Sequence, residues 1–126
     1  MSEKQKRVLI VEDDPHISKV YEIQTIKEGH IAVIARDGEE AIRLLEDENP
    51  DLVILDLMIP KKDGFWVLEE IRKSAKFSNI PVLIISNLGQ KSDEARAIAL
   101  GATEYLVKID HPIQEVMKKV NAYLQN

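Results

Sequence analysis

Short apolar runs and longer amphipathic segments alternate along the chain. The short runs are rich in branched side chains, which is typical of strands buried on both faces of a parallel sheet. Five such strands are predicted, at Val8–Val11, Ile31–Ala35, Leu52–Leu55, Val82–Ile85 and Tyr105–Val107. Because no hairpin turn joins two of them directly, the strands are expected to run parallel to one another.

Five helices are predicted between and after these strands, where apolar residues recur at helical spacing. They run from His16 to about Glu28, from Asp37 to the stop at Asn49, from Phe65 to before Asn79, from Ser92 to Leu100 and from Pro112 through Leu124. In the first helix, Ile17, Val20 and Tyr21 are expected to face the core. Either Ile23 or Ile26 is expected to be a further inward position.

This alternation favours an α/β fold with a flavodoxin-like, doubly wound parallel sheet. In its five-stranded form the strand order is 2-1-3-4-5, and ligands bind beyond the carboxyl ends of the first and third strands. The chain has 126 residues, of which 44% are apolar and 31% charged, so it is long enough for one domain with a substantial core. We therefore predict a single domain over residues 1–126.

Polar side chains follow four of the predicted strands on the same side of the sheet. Glu12 and Asp13 come after the first strand, Asp56 after the third, Ser86 after the fourth and Lys108 after the fifth. Neighbouring strands lie about 4.8 Å apart, so Asp13 and Asp56 are expected to lie within a few ångströms of each other. Asp56 alone has an equally simple explanation as a turn or capping residue. Four strands that deliver carboxylates, a hydroxyl and an amine to one place predict a site.

The residue types at this site predict its chemistry. Clustered carboxylates repel one another, and oxygen ligands without His or Cys favour a hard divalent ion, Mg²⁺ more than Ca²⁺ in a shallow cleft. A lysine and a hydroxyl beside such an ion suit a phosphoryl group, whose charge is spread over its outer oxygens. One carboxylate must then be the nucleophile, and its central position makes Asp56 the candidate for an acyl phosphate.

Charge and composition narrow the partners and the compartment. The formal charge of −5 argues against a nucleic-acid-binding surface, so any DNA contact is expected to need another chain. The chain has no cysteine, which fits a reducing compartment. The apolar run Val8–Val11 is too short for a signal peptide or a membrane span. The sequence therefore predicts a cytoplasmic protein without membrane attachment.

Four motifs together resemble the receiver domain of two-component response regulators, over essentially the whole chain. They are Glu12-Asp13-Asp14 after VLIV, Asp56 within DLMIPKKDG, Ser86 after LII, and Lys108 with Tyr105 three residues before it. The resemblance implies that Asp56 accepts a phosphoryl group from a histidine kinase or a phosphotransfer protein. It also implies that the chain catalyses only its own phosphorylation and dephosphorylation, and is otherwise not an enzyme.

The same resemblance assigns the ligands of the site. Asp13, Asp56 and the backbone carbonyl of Met58 would bind Mg²⁺, and Glu12 would assist through a water molecule. Lys108 would pair with the oxygens of the phosphoryl group.

The resemblance also implies a switch formed by Ser86 and Tyr105. Ser86 would follow the phosphoryl group inward and Tyr105 would change rotamer, which alters the face made by the fourth helix, the fifth strand and the fifth helix. That face would control contacts with a downstream protein target or effector domain, in a monomer or a weak phosphorylation-dependent dimer. Neither direct contact with nucleic acid nor a membrane is expected.

The sequence departs from the family pattern around the predicted acceptor. Ile109 follows Lys108 where the family usually has proline, so a cis peptide is not assumed there. Asn87 is larger than the usual residue after the serine, and with Leu88 it is expected to control access to the phosphoryl group. Because Met58 and Leu88 offer no hydrogen bond to an attacking water, the phosphorylated form is expected to decay slowly.

Three other interpretations fit parts of the pattern. A phosphohydrolase of the haloacid-dehalogenase type also uses a strand-end aspartate, but it needs a second Asp two residues on, where this chain has Met58. A flavin-binding module needs a hydroxyl-rich phosphate loop, where this chain has the acidic segment EDDP. A degenerate receiver that only docks to other proteins is the third interpretation. The intact set of Asp13, Asp56, Ser86 and Lys108 argues against it.

Overall fold

The computed structural model describes residues 5–87, 91–108 and 112–125, and these contain a five-stranded sheet. Its strands are β1 (Arg7–Val11), β2 (Ile31–Ala35), β3 (Leu52–Leu55), β4 (Val82–Ser86) and β5 (Glu104–Val107). They are arranged in the predicted order β2-β1-β3-β4-β5, and every neighbouring pair is parallel. The prediction of a flavodoxin-like α/β fold is therefore confirmed.

The helices among the described residues are α1 (Pro15–Lys27), α2 (Gly38–Glu48), α3 (Gly64–Lys73), α4 (Lys91–Ala99) and α5 (Ile113–Leu124). An aspartate precedes each of the first three and accepts hydrogen bonds from backbone N–H groups of the first turn. These residues are Asp14, Asp37 and Asp63, and caps of this kind stabilise a helix by about 1 kcal/mol each. Within the described part of the chain, no helix combines the length and the apolar character that crossing a membrane requires.

The helices cover both faces of the sheet and create two apolar cores. One core joins the sheet to α2, α3 and α4 through residues such as Leu45, Leu68 and Ala97. The other joins it to α1 and α5 through residues such as Tyr21 and Val116. Because successive strand residues point to opposite faces, the apolar runs of the sequence supply both cores at once.

The inward face of α1 differs from the one predicted. Tyr21 is buried as expected, but Val20, Ile23 and Ile26 are 48%, 43% and 58% exposed, and Thr25 is fully buried. The predicted inward orientation of Val20, and of either Ile23 or Ile26, is therefore wrong. Apolar residues occur on both sides of this helix, so their spacing does not fix its rotation. The rotation of α1 is fixed by its packing against the sheet and α5.

Candidate functional site

The carboxyl ends of β1 and β3 bring three acidic side chains together. Val11 pairs with Leu55 in the sheet register, and the backbone N–H of Asp56 donates to the Val11 carbonyl at 3.0 Å. Glu12 and Asp13 therefore leave β1 beside Asp56. One carboxylate oxygen from each of the three acids lies within 4.8 Å of the other two.

Lys108 joins two of these carboxylates from the end of β5. Its Nζ atom lies 2.7 Å from Oε1 of Glu12 and 3.0 Å from Oδ2 of Asp56. The exposed fraction of the side chain is 14% for Lys108, 5% for Glu12 and 10% for Asp56. Water therefore screens these charges weakly, and the two carboxylates, which repel each other, depend on the ammonium group of Lys108 for stabilisation.

Burial and pairing act together on the pKa values of this cluster. Burial raises the pKa of Glu12, and the hydrogen bonds from Lys108 and from the backbone N–H of Asp14 offset the rise only in part. Burial by itself would lower the pKa of Lys108, but the hydrogen bonds to Glu12 and Asp56 outweigh it and the pKa is raised. The ammonium group is thus charged at neutral pH and available to negative oxygens.

The loop after β3 folds closely around Asp56. Oδ1 of Asp56 accepts a hydrogen bond from the backbone N–H of Met58 at 3.1 Å, and the N–H of Gly64 donates to the Leu57 carbonyl at 3.0 Å. A Cβ atom at Gly64 would lie 2.6 Å from the backbone oxygen of Asp56, so this close approach requires glycine. One carboxylate oxygen of Asp56 therefore faces the loop and the other faces Lys108.

Ser86 and Tyr105 are in contact on the neighbouring strands β4 and β5. Ser86 is fully buried, at 0% exposure, and Tyr105 is half-buried. Burial raises the pKa of Tyr105, and a hydrogen bond between the Tyr105 and Ser86 side chains acts against that rise. The two residues that the resemblance assigns to a switch thus touch each other directly.

A cleft of about 220 Å³ opens onto the acidic cluster. Asn87, predicted to control access, is among its lining residues, whereas Leu88 and Ile109 lie outside the described residues and their predicted effects stay predictions. Ile17 also lines the cleft, although the sequence assigned it only to the core. No sequence signal pointed to this role, because the rotation of α1 decides it. The lining residues are Glu12, Asp13, Asp14, Ile17, Asp56, Met58, Asn87 and Lys108.

The donor atoms at this cleft fit a hard divalent cation. The three clustered acids offer oxygen ligands only, and the exposed side chain of Asp13 leaves one side of the cluster open to water. Mg²⁺ prefers this arrangement, because it usually keeps several water ligands and takes one or two carboxylates from the protein. The direct contact between Lys108 and Glu12 was not predicted, because it depends on how far the lysine side chain reaches across the sheet.

The fold and this group of residues match a known family. The family described as response regulator receiver domain matches residues 8–121. The chain belongs to this family. This receiver domain is therefore a signalling module of response regulators, and the phosphohydrolase and flavin-binding interpretations lose their support.

Solved structures of receiver domains share the fold over nearly the whole chain. The receiver domain of response regulator 1452 from Francisella is 30% identical with a TM-score of 0.87, over 96% of this chain and 98% of that one. The BeF3-activated N-terminal receiver domain of RstA from Klebsiella pneumoniae is 25% identical with a TM-score of 0.87, over 95% of this chain and 99% of that one.

Curated relatives of this receiver are longer proteins. One, from Guillardia theta and named probable transcriptional regulator ycf27, is 41% identical over 123 residues, which cover 98% of this chain and 47% of that protein. Another, the DNA-binding dual master transcriptional regulator RpaA of Synechocystis sp., is 38% identical over 119 residues, which cover 94% of this chain and 49% of that protein. The receiver thus spans about half the length of the curated relatives it matches.

These names correct one expectation from the sequence. We expected partners without direct contact to nucleic acid, and this expectation is wrong. Two relatives that match almost the whole receiver are named as transcriptional regulators, and one of them is named as DNA-binding. The net charge misled because it describes only these 126 residues, whereas the relatives named as regulators of transcription are about twice as long.

Proposed function

We propose that this receiver is a phosphorylation-switched module in which Asp56 accepts a phosphoryl group from a histidine kinase or a phosphotransfer protein. The proposal is carried by the contact of Lys108 Nζ with Oδ2 of Asp56 at 3.0 Å inside a little-exposed acidic cluster. A phosphoryl group on Asp56 would present its oxygens to this ammonium group. Residues 1–126 are proposed to act as one receiver unit.

Asp13, Asp56 and the Met58 carbonyl are proposed to hold Mg²⁺, with Glu12 acting through a water molecule. The grouping of three carboxylate oxygens within 4.8 Å supports this assignment. When bound, Mg²⁺ supplies positive charge that attracts the phosphoryl oxygens and offsets the carboxylates. The receiver's own part is to hold the oxygen ligands together and to keep the ammonium group of Lys108 beside them.

In the transfer step, one carboxylate oxygen of Asp56 attacks the phosphorus atom of the donor. The O–P bond of an acyl phosphate forms while the P–N bond of a phosphohistidine breaks, and the electron pair of that bond stays on the imidazole nitrogen. Lys108 then pairs with the phosphoryl oxygens in place of Oδ2 of Asp56. In dephosphorylation, water attacks the phosphorus atom, inorganic phosphate leaves and the carboxylate of Asp56 is restored.

The signal is proposed to pass from Ser86 to Tyr105. Their hydrogen bond supports this route, because a Ser86 hydroxyl that turns toward the phosphoryl group would leave Tyr105 and favour another tyrosine rotamer. Tyr105 lies on β5, so the change would alter the face made by α4, β5 and α5. The names of the relatives support control of transcription as the output.

Intact-mass spectrometry after incubation with a small acyl phosphate and Mg²⁺ tests the proposal. The wild-type chain is expected to gain one phosphoryl group, and Asp56→Asn is expected to gain none. Asp51→Asn is the matched control, because it removes a carboxylate at the opposite end of β3, where Oδ2 of Asp51 accepts a hydrogen bond from the backbone N–H of Arg7. This control should be modified like the wild type. An unmodified wild-type chain, or an Asp56→Asn variant that gains the same mass, would contradict the proposal.

A further inference from the structure

We propose that Gly38, the first residue of α2, positions the loop between β3 and α3 and thereby sets the affinity of the site for Mg²⁺. This inference rests on the proposed function, because that loop carries the Met58 carbonyl assigned to the metal. Gly38 would be a positioning residue, since it acts through the loop and does not itself contact the metal.

The start of α2 is in close contact with the far half of this loop. A Cβ atom at Gly38 would lie 2.2 Å from the carbonyl oxygen of Lys62 and 2.7 Å from its Cβ atom. The backbone N–H of Gly38 also donates to the Pro60 carbonyl at 3.3 Å. Beside it, Oδ2 of Asp37 lies 3.5 Å from Nζ of Lys61. The N-terminal cap of α2, Asp37, and its first residue, Gly38, therefore contact three successive residues of the loop.

The first half of the loop, residues 57–59, has anchors of its own. Its first residues are fixed by the hydrogen bond from the Met58 N–H to Asp56 and by the one from Gly64 to the Leu57 carbonyl. Leu57 and Ile59, on either side of Met58, are only 2% and 9% exposed. We therefore infer that the position of the Met58 carbonyl depends both on the anchors at Asp56 and Gly64 and on the contacts with α2.

The backbone of Lys61 supports the view that α2 constrains the loop. Lys61 has a φ angle of +68°, in the left-handed region that residues other than glycine rarely adopt. Such a conformation is strained and persists only where the surrounding structure imposes it. Asp37 and Gly38 contact the loop at Lys61 and at the residues on either side of it, which fits a constraint from the start of α2.

A methyl group at Gly38 is expected to displace the loop and leave the helix in place. Ala41 and Leu45, both 1% exposed, hold α2 in the core. Pro60, Lys61 and Lys62 are exposed and have solvent on their outer side. Because the atom in the way is a backbone oxygen, side-chain rotation cannot relieve the overlap.

A displaced loop should weaken Mg²⁺ binding. Mg²⁺ demands nearly ideal octahedral geometry with ligand distances of about 2.0–2.1 Å, so a small shift of one ligand is costly. Changes in residues that orient metal ligands typically lower affinity by about 10–100-fold. Because only one of the proposed ligands is affected, we expect the lower end, about a tenfold rise in the Kd for Mg²⁺ with Gly38→Ala.

Calorimetric titration of the whole chain with Mg²⁺ alone tests the inference, with Gly29→Ala as the matched control. Gly29 has a φ of +89° and open space where a Cβ would be, so alanine there strains the backbone without touching the loop. Urea denaturation should show that both variants lose stability. Only Gly38→Ala should bind Mg²⁺ about tenfold more weakly than the wild type.

Pro60→Ala provides a second variant in case Gly38→Ala does not fold. It keeps the carbonyl that accepts from Gly38 but frees the φ angle of an exposed residue, so Mg²⁺ binding should weaken severalfold while the fold is retained. If Gly38→Ala and Pro60→Ala, or whichever of them folds, bind Mg²⁺ as tightly as the wild type, this inference is overturned and the proposed function is left intact. A wild-type chain that binds no Mg²⁺ would overturn both.

Discussion

Charged side chains meet at both ends of the sheet, at the amino end where the strands begin and at the carboxyl end where they finish. At the amino end, Arg7 pairs with Glu48 at 3.0 Å, and the exposed fractions of the two side chains are 42% and 36%. At the carboxyl end, Lys108 pairs with Glu12 and Asp56 at 2.7 and 3.0 Å, and none of the three side chains exceeds 14% exposure.

The size of the cleft does not explain the difference between the two ends. The cleft at the amino end has about 590 Å³, against about 220 Å³ at the carboxyl end. Exposed ion pairs contribute about 0–1 kcal/mol, because water screens them. A buried charge that loses its partner is far more costly, at about 3–5 kcal/mol. The carboxyl end therefore differs from the amino end in burial. Its two buried carboxylates depend on Lys108 for a positive charge.

The largest effect is expected from Lys108→Met. The substitution leaves Glu12 and Asp56 buried without their cation, so the free energy of unfolding at pH 7 without Mg²⁺ should fall by about 3 kcal/mol. Added Mg²⁺ should recover part of this loss, because it binds the folded state and replaces the missing positive charge. Urea denaturation with and without Mg²⁺ measures both effects. A loss below about 1 kcal/mol would mean that the pairs of Lys108 contribute no more than exposed surface ion pairs, and would contradict this prediction.

A smaller effect is expected from Arg7→Met at the amino end. The variant removes the exposed pair with Glu48 but keeps the hydrogen bond from the Arg7 backbone N–H to Asp51. The free energy of unfolding should fall by less than about 1 kcal/mol. Salt should reduce the difference from the wild type further, because exposed charges are screened. The same denaturation assay at low and high salt provides the check, and a loss as large as that of Lys108→Met would remove the distinction between the two ends.

The smallest effect is expected from Asp37→Asn, and it concerns pH. The hydrogen bond from the backbone N–H of Glu40 lowers the pKa of Asp37 in the folded state. The ionised cap therefore contributes stability that is present above the ordinary aspartate pKa and is lost as the pH falls through the lowered value. Asparagine also caps helices but does not titrate, so the variant should lose less stability than the wild type on acidification below about pH 4.

Thermal unfolding of Asp37→Asn as a function of pH measures this change. Asp47→Asn, which removes an equal charge from the exposed end of α2 near the amino end of the sheet, serves as the control. If the melting temperatures of the wild type and Asp37→Asn fall equally on acidification, the Asp37 cap makes no pH-dependent contribution to stability.

Local patterns were enough to predict the strands, their order and the meeting of Asp13 with Asp56. The reason is that buried parallel strands must be apolar on both faces and must finish at the same end of the sheet. The same logic failed for α1, where Val20 is exposed although its spacing fits an inward face. It also failed for the partners, because the net charge of this receiver gives no information about the relative that is named as a DNA-binding regulator.

The sequence by itself therefore determined which residue types reach the carboxyl end of the sheet. Only the tertiary structure decided that Lys108 bridges Glu12 and Asp56, that Ser86 touches Tyr105, and that Gly38 lies against Lys62. These contacts join residues far apart in the chain, and their distances depend on side-chain reach, helix rotation and the packing of loops. Such quantities are set by the balance of all the packed contacts together, so no local pattern of residues encodes them.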